Sequence, residues 1–501
     1  MQEEPIRGSG YRSLDISPLF LERFMRAALS FSVFLALSAG SVLAEPVNEG
    51  HRDNAHTVEA FGCWGDEHGN LSGGMFLAPT DPDAIEIMEA LKRANGSVPD
   101  NRIDIVFVGD GYTAGEQAQF HADVDGIVNS LYQYEPFTSY QNYFRITKVE
   151  VISNESGVDN DPTQGIDRDT ALDMGYWCGG TERALCVNVS KAYTAAAAAP
   201  QIDQVIAVAN SSKYGGVGYP SNDLGTVSGQ NSAAADIAIH ELGHSFGDLA
   251  DEYTYGGPTT YTGPELTPWD VSILDRTEQL DQERKWFRWM DANMAGFDGP
   301  VSTYEGGNYS QFGVYRPSNN SMMRSLGRPF NLVSAERLMR QIYKDVSPID
   351  DGTPDGSVVA RDGNVWVTPM QPLDHNLLVY WYLDGEFQIN LFGQHSVDIS
   401  SLGLDSDEHE LRVEVIDETP LVRKQQIRDN FLTATRVYTI EADASVCPAD
   451  LNADGSLNFL DVSLYLSLFG DQNAAADFNG DGSWNFLDVS GFLAAFSAGC
   501  P

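Results

Sequence analysis

The chain has 501 residues and a formal net charge of −42, from 30 basic and 72 acidic side chains. A surface of this charge is repelled by phosphate backbones and by anionic lipid, so we expect neither nucleic-acid binding nor peripheral membrane binding. Hydrophobic residues make up 42% and aromatic residues 11%, which excludes a disordered chain, and the length predicts about three domains. The acidity itself has two explanations, calcium chelation or a solvated surface suited to salty water.

The N-terminal segment has the pattern of an export signal. Residues 22–26 form a basic flank, residues 27–43 are apolar and uncharged, and VLA at 42–44 is a small-residue cleavage site. We expect residues 1–44 to be a signal peptide region, with Met25 as an alternative start. The mature chain is then secreted or attached to the cell surface, in an extracellular or periplasmic location. The alternative is a membrane anchor, because the apolar run reaches the short end of a spanning helix.

Five cysteines fit an exported protein, because disulfides persist in oxidising compartments. Cys178 and Cys186 lie close in sequence, and Cys447 and Cys500 bracket the C-terminal segment, so we expect two disulfides. Cys63 is then left over, as a buried or free thiol.

From Ile103 the chain alternates strands and helices, which predicts an α/β domain. IDIVFVGDGYTAGEQAQF, from residue 103, is a buried strand, a turn and a helix, and FRITKVEVIS and QVIAVAN are further strands. The sequence lacks GxGxxG and Walker motifs, so nucleotide binding is not expected. The glycine-rich SSKYGGVGYP at 211–220 is either a turn or a strand edge that lines a cleft. We expect helices at 232–246, with Ser232 as its cap, at 282–290 and at 334–346.

The segments on either side differ in character. Residues 45–100 have mixed composition and no assigned role, with one helix expected around 82–93. In residues 354–442 apolar and polar residues alternate with the period of two that is typical of half-buried strands. Asp384-Gly385 is a hairpin turn. This pattern predicts an antiparallel β-sandwich.

The clearest chemical signal is HELGH, in the apolar helix before the centre of the chain. His240 and His244 lie one helical turn apart on the same face, so their imidazoles can bind one metal ion. Glu241 lies beside that face and can accept a proton from a water activated by the ion. This is the HExxH arrangement of zinc hydrolases.

A catalytic zinc usually has three protein ligands and one open position. Of the other seven histidines, only His121 lies in the expected catalytic domain, so the third ligand is a carboxylate. Gly247 is expected to turn the chain back towards the ion through a positive φ. Among the acids that follow, we expect Asp251 to be the ligand, with Glu252 and Glu265 as alternatives.

HELGHSFGDLADEY resembles the active-site segment of the M64 metallopeptidases, the immunoglobulin A peptidase family. VFVGDGYTAGEQAQF, EPFTSYQNYFRI and SNESGVD are similar to that family's opening blocks, and RPSNNSMMRSLGRPFNLVSAERL to its closing block. The resemblance implies a zincin-like catalytic domain at 101–348, with His240 and His244 as ligands of one zinc ion and Glu241 as the general base. Met322 and Met323 resemble the methionine-containing turn below the zinc of metzincin-type peptidases.

The sequence departs from the metzincin pattern at Ala250, where those enzymes place the third ligand. The choice of Asp251 is therefore inferred from the position of the acids that follow Gly247, not from the resemblance. A side chain that stabilises the oxyanion is expected from one of four candidates: Tyr253, Tyr309, Tyr315 and Arg324.

The tail contains a repeat with an offset of 27 residues, DLNADGSLNFLD and DFNGDGSWNFLD. Oxygen side chains at positions 1, 3, 5 and 12, with glycine at 6, have the spacing of a calcium loop. The expected ligands of two structural calcium ions are Asp450, Asn452, Asp454, Ser456 and Asp461 in the first copy, and Asp477, Asn479, Asp481, Ser483 and Asp488 in the second. Ser456 and Ser483 would act through their carbonyl groups.

Residues 447–501 resemble a dockerin, which implies anchoring to a cohesin-like partner. Many dockerins have small polar residues where this chain has Phe459-Leu460 and Phe486-Leu487, which favours a different anchoring partner or a self-contact.

The expected fold is therefore multidomain: an α/β (α+β) zincin-like domain, an Ig-like antiparallel β-sandwich and a small α-helical dockerin-like domain. The expected function is a secreted zinc endopeptidase that acts on proteins or peptides. The alternative is an inactive surface-attached binding protein that keeps the peptidase fold, although the intact Glu241 argues against it. A zinc hydrolase of non-peptide bonds is a third possibility that the M64-like blocks disfavour.

Overall fold

The computed structural model describes residues 57–65, 71–79, 90, 100–254, 258–293, 295–443 and 447–499. The expected signal region at 1–44 lies outside these residues, as does the helix expected around 82–93, apart from residue 90. Among the described helices, none has the length and apolar character needed to cross a bilayer.

A seven-stranded mixed sheet forms the centre of the first part of the molecule. Its strands are β1 (Thr57–Gly65), β2 (Leu71–Pro79), β3 (Ile103–Asp110), β4 (Phe144–Val149), β5 (Gln204–Ala209), β6 (Gly216–Tyr219) and β7 (Leu224–Ser228). The spatial order is β2-β1-β6-β7-β5-β3-β4. β3, β4, β5 and β7 are parallel, whereas β6 is antiparallel to both of its neighbours. Every residue of β3 and β5 is buried, as expected of strands covered on both faces.

Helices cover both faces of this sheet, which confirms the mixed α/β class. The covering helices are α1 (Gln117–Leu131), α2 (Val189–Ala196), α3 (Ala234–Ser245) and α5 (Leu332–Asp345), whereas the short α4 (Arg276–Gln282) contributes no residue to the buried clusters on the two faces. Ile105 and Phe107 of β3 join the buried cluster of α1, α3 and α5, while Val106 and Val108 join that of α2. Because successive side chains of a strand point to opposite faces of the sheet, β3 contributes to both of these buried clusters. A hairpin of β8 (Tyr304–Gly307) and β9 (Ser310–Arg316) follows α4.

The helix expected at 282–290 is wrong. α4 ends at Gln282, Glu283 and Lys285 have positive φ angles of 51° and 52°, and only a short 3-10 turn follows at Phe287–Trp289. The ammonium group of Lys285 donates hydrogen bonds to three backbone carbonyl groups at 2.6–2.9 Å, those of Leu266, Pro268 and Val271. This tertiary contact fixes the backbone against local helix propensity.

Two other local expectations also need correction. α3 starts at Ala234 without a side-chain cap, and Asn231 rather than Ser232 accepts a nearby backbone N–H, that of Ala233. The β1–β2 hairpin, within the segment of unassigned role, was not expected, and it extends the sheet beyond β6.

Two further sheets share one buried core after α5. Their strands are β10 (Ile349–Gly352), β11 (Val358–Val359), β12 (Asn364–Pro369), β13 (Leu378–Leu383), β14 (Glu386–Phe387), β15 (Ser396–Asp398), β16 (His409–Ile416) and β17 (Thr433–Ile440). One sheet has the order β10-β12-β15 and the other β11-β17-β16-β13-β14. Asp384 and Gly385 form the turn between β13 and β14, with φ angles of 49° and 82°. The expected all-antiparallel pairing fails at β11, which runs parallel to β17, and the first strand begins before residue 354.

The chain between β16 and β17 packs against the α/β part. It contains α6 (Gln425–Phe431), and Ile427 and Leu432 belong to the same buried cluster as α1, α3 and α5. Asp417 is buried at this contact and accepts hydrogen bonds from the hydroxyl groups of Tyr140 and Tyr343, both at 2.6 Å.

His375 completes this network, with its Nε2 atom 2.8 Å from Oδ1 of Asp417. Burial alone would raise the pKa of Asp417, but these hydrogen bonds lower it below its usual value. The same hydrogen bond raises the pKa of His375 to about 9.

Two helices, α7 (Phe459–Gly470) and α8 (Phe486–Ala498), form the tail. The rings of Tyr465 and Phe492 stack between them, with centroids 4.0 Å apart. The expected disulfide between Cys178 and Cys186 is present.

Cys447 is disulfide-bonded, but Cys500, its expected partner, lies outside the described residues, so that pairing stays a prediction. The Cys63 side chain is likewise outside the described part.

Candidate metal centre

The two histidines of the HELGH motif converge as their spacing predicts. Their Nε2 atoms lie 3.1 Å apart on α3. The Nδ1 atom of His240 is 2.9 Å from the carbonyl oxygen of Met322, and that of His244 is 2.7 Å from the carbonyl oxygen of Leu249. A carbonyl oxygen only accepts, so each Nδ1 carries the proton and each Nε2 is left with its lone pair to bind a metal.

Asp251 lies beside both imidazoles. Its Oδ1 atom is 3.1 Å from Nε2 of His240 and 3.3 Å from Nε2 of His244. Within the described part of the chain, these residues form the one group of three or more His, Cys, Asp or Glu side chains close enough to hold a metal ion. All three are at most 1% exposed. The hydroxyl of Tyr309 donates a hydrogen bond to the other carboxylate oxygen at 2.5 Å and so fixes its orientation.

The electrostatics of this group favour an ionised carboxylate. Burial alone would raise the pKa of Asp251, but the adjacent imidazoles lower it well below its usual value. Burial would lower the pKa of His244, whereas the Asp251 carboxylate raises it to about 9, so a metal ion that binds at Nε2 must displace a proton from this imidazole. Asp251 therefore has the charge that a metal ligand requires.

The alternative third ligands are held elsewhere. Glu252 accepts hydrogen bonds from the Ser321 hydroxyl and the Asn331 amide, each at 2.7 Å. Burial and the nearby Asp270 carboxylate raise the pKa of Glu252. Glu265 pairs with Lys285 at 3.2 Å.

The turn that carries Asp251 differs from the expected one. Gly247 does not have a positive φ; Asp248 does, at 50°. Gly247 is required for space, because a Cβ atom there would lie 2.5 Å from the carbonyl oxygen of Gly243. Asp270 steadies the next residues, because its Oδ1 accepts the backbone N–H of Ala250 at 3.0 Å.

Met322 and Met323 lie directly beneath α3, and both are fully buried. The Met322 carbonyl orients His240, and the Met323 carbonyl accepts the backbone N–H of Glu252 at 2.8 Å. A Cβ atom on Gly243 would lie 2.5 Å from the sulfur of Met323. This turn therefore supports both the helix and the segment that carries Asp251.

The glycine-rich segment is the strand β6, packed against the Glu241 side chain. A Cβ atom on Gly218 would lie 2.9 Å from Oε2 of Glu241 and 3.2 Å from Cβ of His244. Gly225, on the neighbouring β7, faces the Cβ atom of Glu241 at 3.6 Å. Glycines in these strands thus leave room for the carboxylate, which is 1% exposed. The glycines of this segment are visible in the sequence, but the sequence alone does not distinguish a turn from a strand that lines a cleft.

Of the four oxyanion candidates, two are engaged in other contacts. The Tyr309 hydroxyl bonds to Asp251, and Arg324 donates to the carbonyl of Asn319 at 2.8 Å. Tyr253 is buried and its ring packs against Tyr309. Tyr315 pairs through its backbone with Ser272.

The two tail loops have the same internal geometry. Asp450 accepts the backbone N–H of Gly455 at 2.7 Å, and Asp477 accepts that of Gly482 at 2.8 Å. The expected twelfth-position ligands, Asp461 and Asp488, are buried and close a capping box at the start of α7 and α8. The remaining expected ligands, Asn452, Asp454, Ser456, Asn479, Asp481 and Ser483, lie in these exposed loops.

The imidazoles of His240 and His244, the Asp251 carboxylate and the neighbouring Glu241 form one group of side chains. This arrangement is typical of metal-dependent hydrolases. Residues 92–298 match the family described as IgA Peptidase M64, and this segment contains the helix and all three clustered side chains. This segment of the chain is therefore similar to the M64 family of metallopeptidases. A search among curated proteins found no match. The match ends before Met322, so the methionine turn, the two later sheets and the tail lie beyond it.

Proposed function

We propose that this chain is a zinc-dependent endopeptidase that hydrolyses peptide bonds of protein substrates. His240, His244 and Asp251 hold one zinc ion, and Glu241 is the general base. The observation that carries this proposal is the convergence of three buried donor groups, His240, His244 and Asp251, within 4.8 Å of one another, inside a segment that matches a peptidase family.

The donor set fits zinc in number and in chemistry. Two imidazole nitrogens and one ionised carboxylate would supply the three protein ligands that are typical of a catalytic zinc site. The carbonyl groups of Met322 and Leu249 fix both imidazole tautomers, and Tyr309 fixes the carboxylate, so the ligands are preorganised. A bound zinc ion supplies a Lewis acid that polarises a carbonyl group and lowers the pKa of water.

The protein supplies the proton transfer. Glu241 follows His240 directly on α3, so its carboxylate lies beside the ligand face and is surrounded by the glycines of β6. It accepts the proton of the attacking water and returns it to the leaving amine, which turns a poor leaving group into a neutral one.

A chelator assay tests the peptidase proposal. Purified protein is incubated with casein before and after treatment with a zinc chelator, and again after zinc is restored. We expect cleavage that the chelator removes and zinc restores. Cleavage that a chelator leaves intact would overturn the metal-dependent mechanism.

The burial of the site favours one alternative. Because the four site side chains are at most 1% exposed, a substrate reaches them only when a neighbouring segment moves. A chain in which no such movement occurs would be a non-catalytic binding protein of the cell surface. Absence of casein cleavage by zinc-loaded protein, together with intact zinc binding, would support that reading.

Export and anchoring form the second part of the proposal. We propose that residues 1–44 are a signal region and that the chain is secreted or surface-attached; the disulfide between Cys178 and Cys186 supports an oxidising compartment. Residues 447–501 form a dockerin-like module that binds two calcium ions, supported by the matching geometry of its two loops.

The same module anchors the chain to a cohesin-like or other partner. Apolar side chains at the start of α7 and α8 support this, since Phe459 and Phe486 are 77% and 78% exposed.

A further inference from the structure

A pocket of about 280 Å³ lies between the α/β part and the segment that leads into α6. Trp286 and Trp289 form its closed wall, and the half-buried Trp269 stands beside them. Arg284 and Lys424 also line it, from two distant parts of the chain. None of these residues belongs to the metal centre, and Lys424 lies beyond the segment that matches the M64 family.

The charge of this pocket is opposite to that of the whole molecule. Besides Lys285, three basic side chains line it, those of Arg284, Arg288 and Lys424, in a chain with a net charge of −42. Among the described residues, none of the three has an ion pair or a side-chain hydrogen bond. An acidic protein that keeps three unpaired cations around one cavity has a strong local preference for an anion there.

The acidic residues of the pocket do not neutralise these cations. Glu265 pairs with Lys285 at 3.2 Å, and that lysine is also saturated by three carbonyl groups. The carboxylate of Glu336 accepts the indole N–H of Trp289 at 2.8 Å and the backbone N–H groups of Arg423 and Lys424 at 2.6 and 2.8 Å.

Aromatic rings hold some of the cations instead. The ammonium group of Lys424 lies 5.0 Å from the centre of the Trp269 ring, and the Arg423 guanidinium lies 4.3 Å from that of Trp289. Cation–π contacts of this kind position a cation without using its N–H donors. The N–H donors of Lys424 therefore remain for a ligand, whereas the Arg423 guanidinium also donates to the backbone carbonyl of Arg288 at 3.1 Å.

We propose that this pocket binds a carboxylate carried on a small apolar or planar framework. Arg284, Arg288 and Lys424 donate to the carboxylate, and Trp269 with Leu266 and Val333 contacts the framework. The volume suits a group of the size of one aromatic acid or one acidic side chain, and it lies at a contact between parts of the fold, where such sites are common.

Calorimetric titration of the full chain with benzoate and with its neutral isostere benzamide tests the proposal. The titration is done in the presence of a zinc chelator, so that its result does not depend on the peptidase proposal. We expect benzoate to bind about tenfold more tightly than benzamide, the ratio for one charge-assisted hydrogen bond. Its affinity should fall when salt is raised from about 20 mM to about 300 mM.

The variants Arg284→Gln and Lys424→Met should each weaken benzoate binding about tenfold and leave benzamide binding unchanged. Arg276→Gln is the matched control, because Arg276 lies in the same segment but pairs with Asp291 at 2.5 Å and does not line the pocket. Equal affinities for the two probes, no binding of either probe, or an equal loss in the Arg276 variant would each overturn the proposal.

A second probe pair separates two sources of the carboxylate. N-acetyl-glutamate amide and N-acetyl-glutamine amide represent an acidic side chain of a peptide and its neutral counterpart. Preference for the glutamate derivative over benzoate would assign the pocket to acidic peptides, and the reverse preference would assign it to free aromatic acids.

Discussion

A methyl group on Gly218 would lie 2.9 Å from the Oε2 atom of Glu241, closer than two such atoms approach without displacement. The strand β6 therefore sets the position of the carboxylate that we propose as the general base. Gly225, on the adjacent strand, leaves an ordinary contact distance of 3.6 Å to the same residue.

Gly218→Ala should reduce catalysis far more than it reduces stability. The added methyl group displaces the flexible carboxylate end of Glu241, and a displacement of about 1 Å in a catalytic group can cost about 100-fold in rate. Peptidase kinetics and thermal unfolding are measured on the same preparations. Gly225→Ala is the control and should keep nearly full activity; equal activity of the two variants would contradict the role of β6.

Glu241→Gln should abolish turnover while zinc stays bound. The amide keeps the size of the side chain but accepts no proton, and loss of a general base costs roughly 100-fold to 10,000-fold. Zinc content is measured by elemental analysis beside the casein assay. Loss of zinc together with activity would make Glu241 a structural residue.

Asp251→Asn and Glu252→Gln should separate the two neighbouring acids. Removing the charge of Asp251 removes a ligand, so zinc affinity should fall by more than the roughly 10–100-fold typical of changes outside the ligand set. Glu252 is held by Ser321 and Asn331 and should keep zinc when changed to Gln. Competition with a chromophoric chelator gives both affinities, and the opposite order would make Glu252 the third ligand.

The His375–Asp417 contact should make stability depend on alkaline pH. The pKa of His375 is raised to about 9 in the folded chain, above its value of about 6.5 in an unfolded chain. Its contribution is therefore fully present below about pH 6.5 and is lost as the pH rises through about 9.

The thermal midpoint is measured against pH for the wild type and for His375→Gln. The difference between them should shrink towards alkaline pH. A difference that stays constant from neutral pH to above pH 9 would show that the charge of His375 does not contribute.

The tail should bind two calcium ions, one in each loop. Asp461→Asn should reduce the stoichiometry to one, because it removes a carboxylate from the twelfth loop position and leaves the second loop unchanged. Calorimetric titration with calcium measures the count. Asp471→Asn, an exposed site after α7, should leave the count at two; no calcium binding by the wild type would remove the proposed module function.

The sequence by itself determined the features that depend on neighbours along the chain. The spacing of His240 and His244 places them on one helical face wherever that helix packs, because the helix repeats every 3.6 residues. Three other features also depend on residues that are close in sequence. They are the Asp384-Gly385 turn, the disulfide between Cys178 and Cys186, and the two loops that precede the helices of the tail. The resemblance to the M64 family also rested on contiguous blocks of residues.

Only the tertiary structure decided the contacts between distant residues. It brought Asp251, rather than Glu252 or Glu265, to the imidazoles, it placed the Met322 carbonyl against His240, and it turned the glycine-rich segment into the strand beside Glu241. It also replaced the helix expected at 282–290 with a turn held by the half-buried Lys285. Such contacts depend on how elements pack across the core, and packing free energy outweighs the small local preferences that a sequence pattern reports.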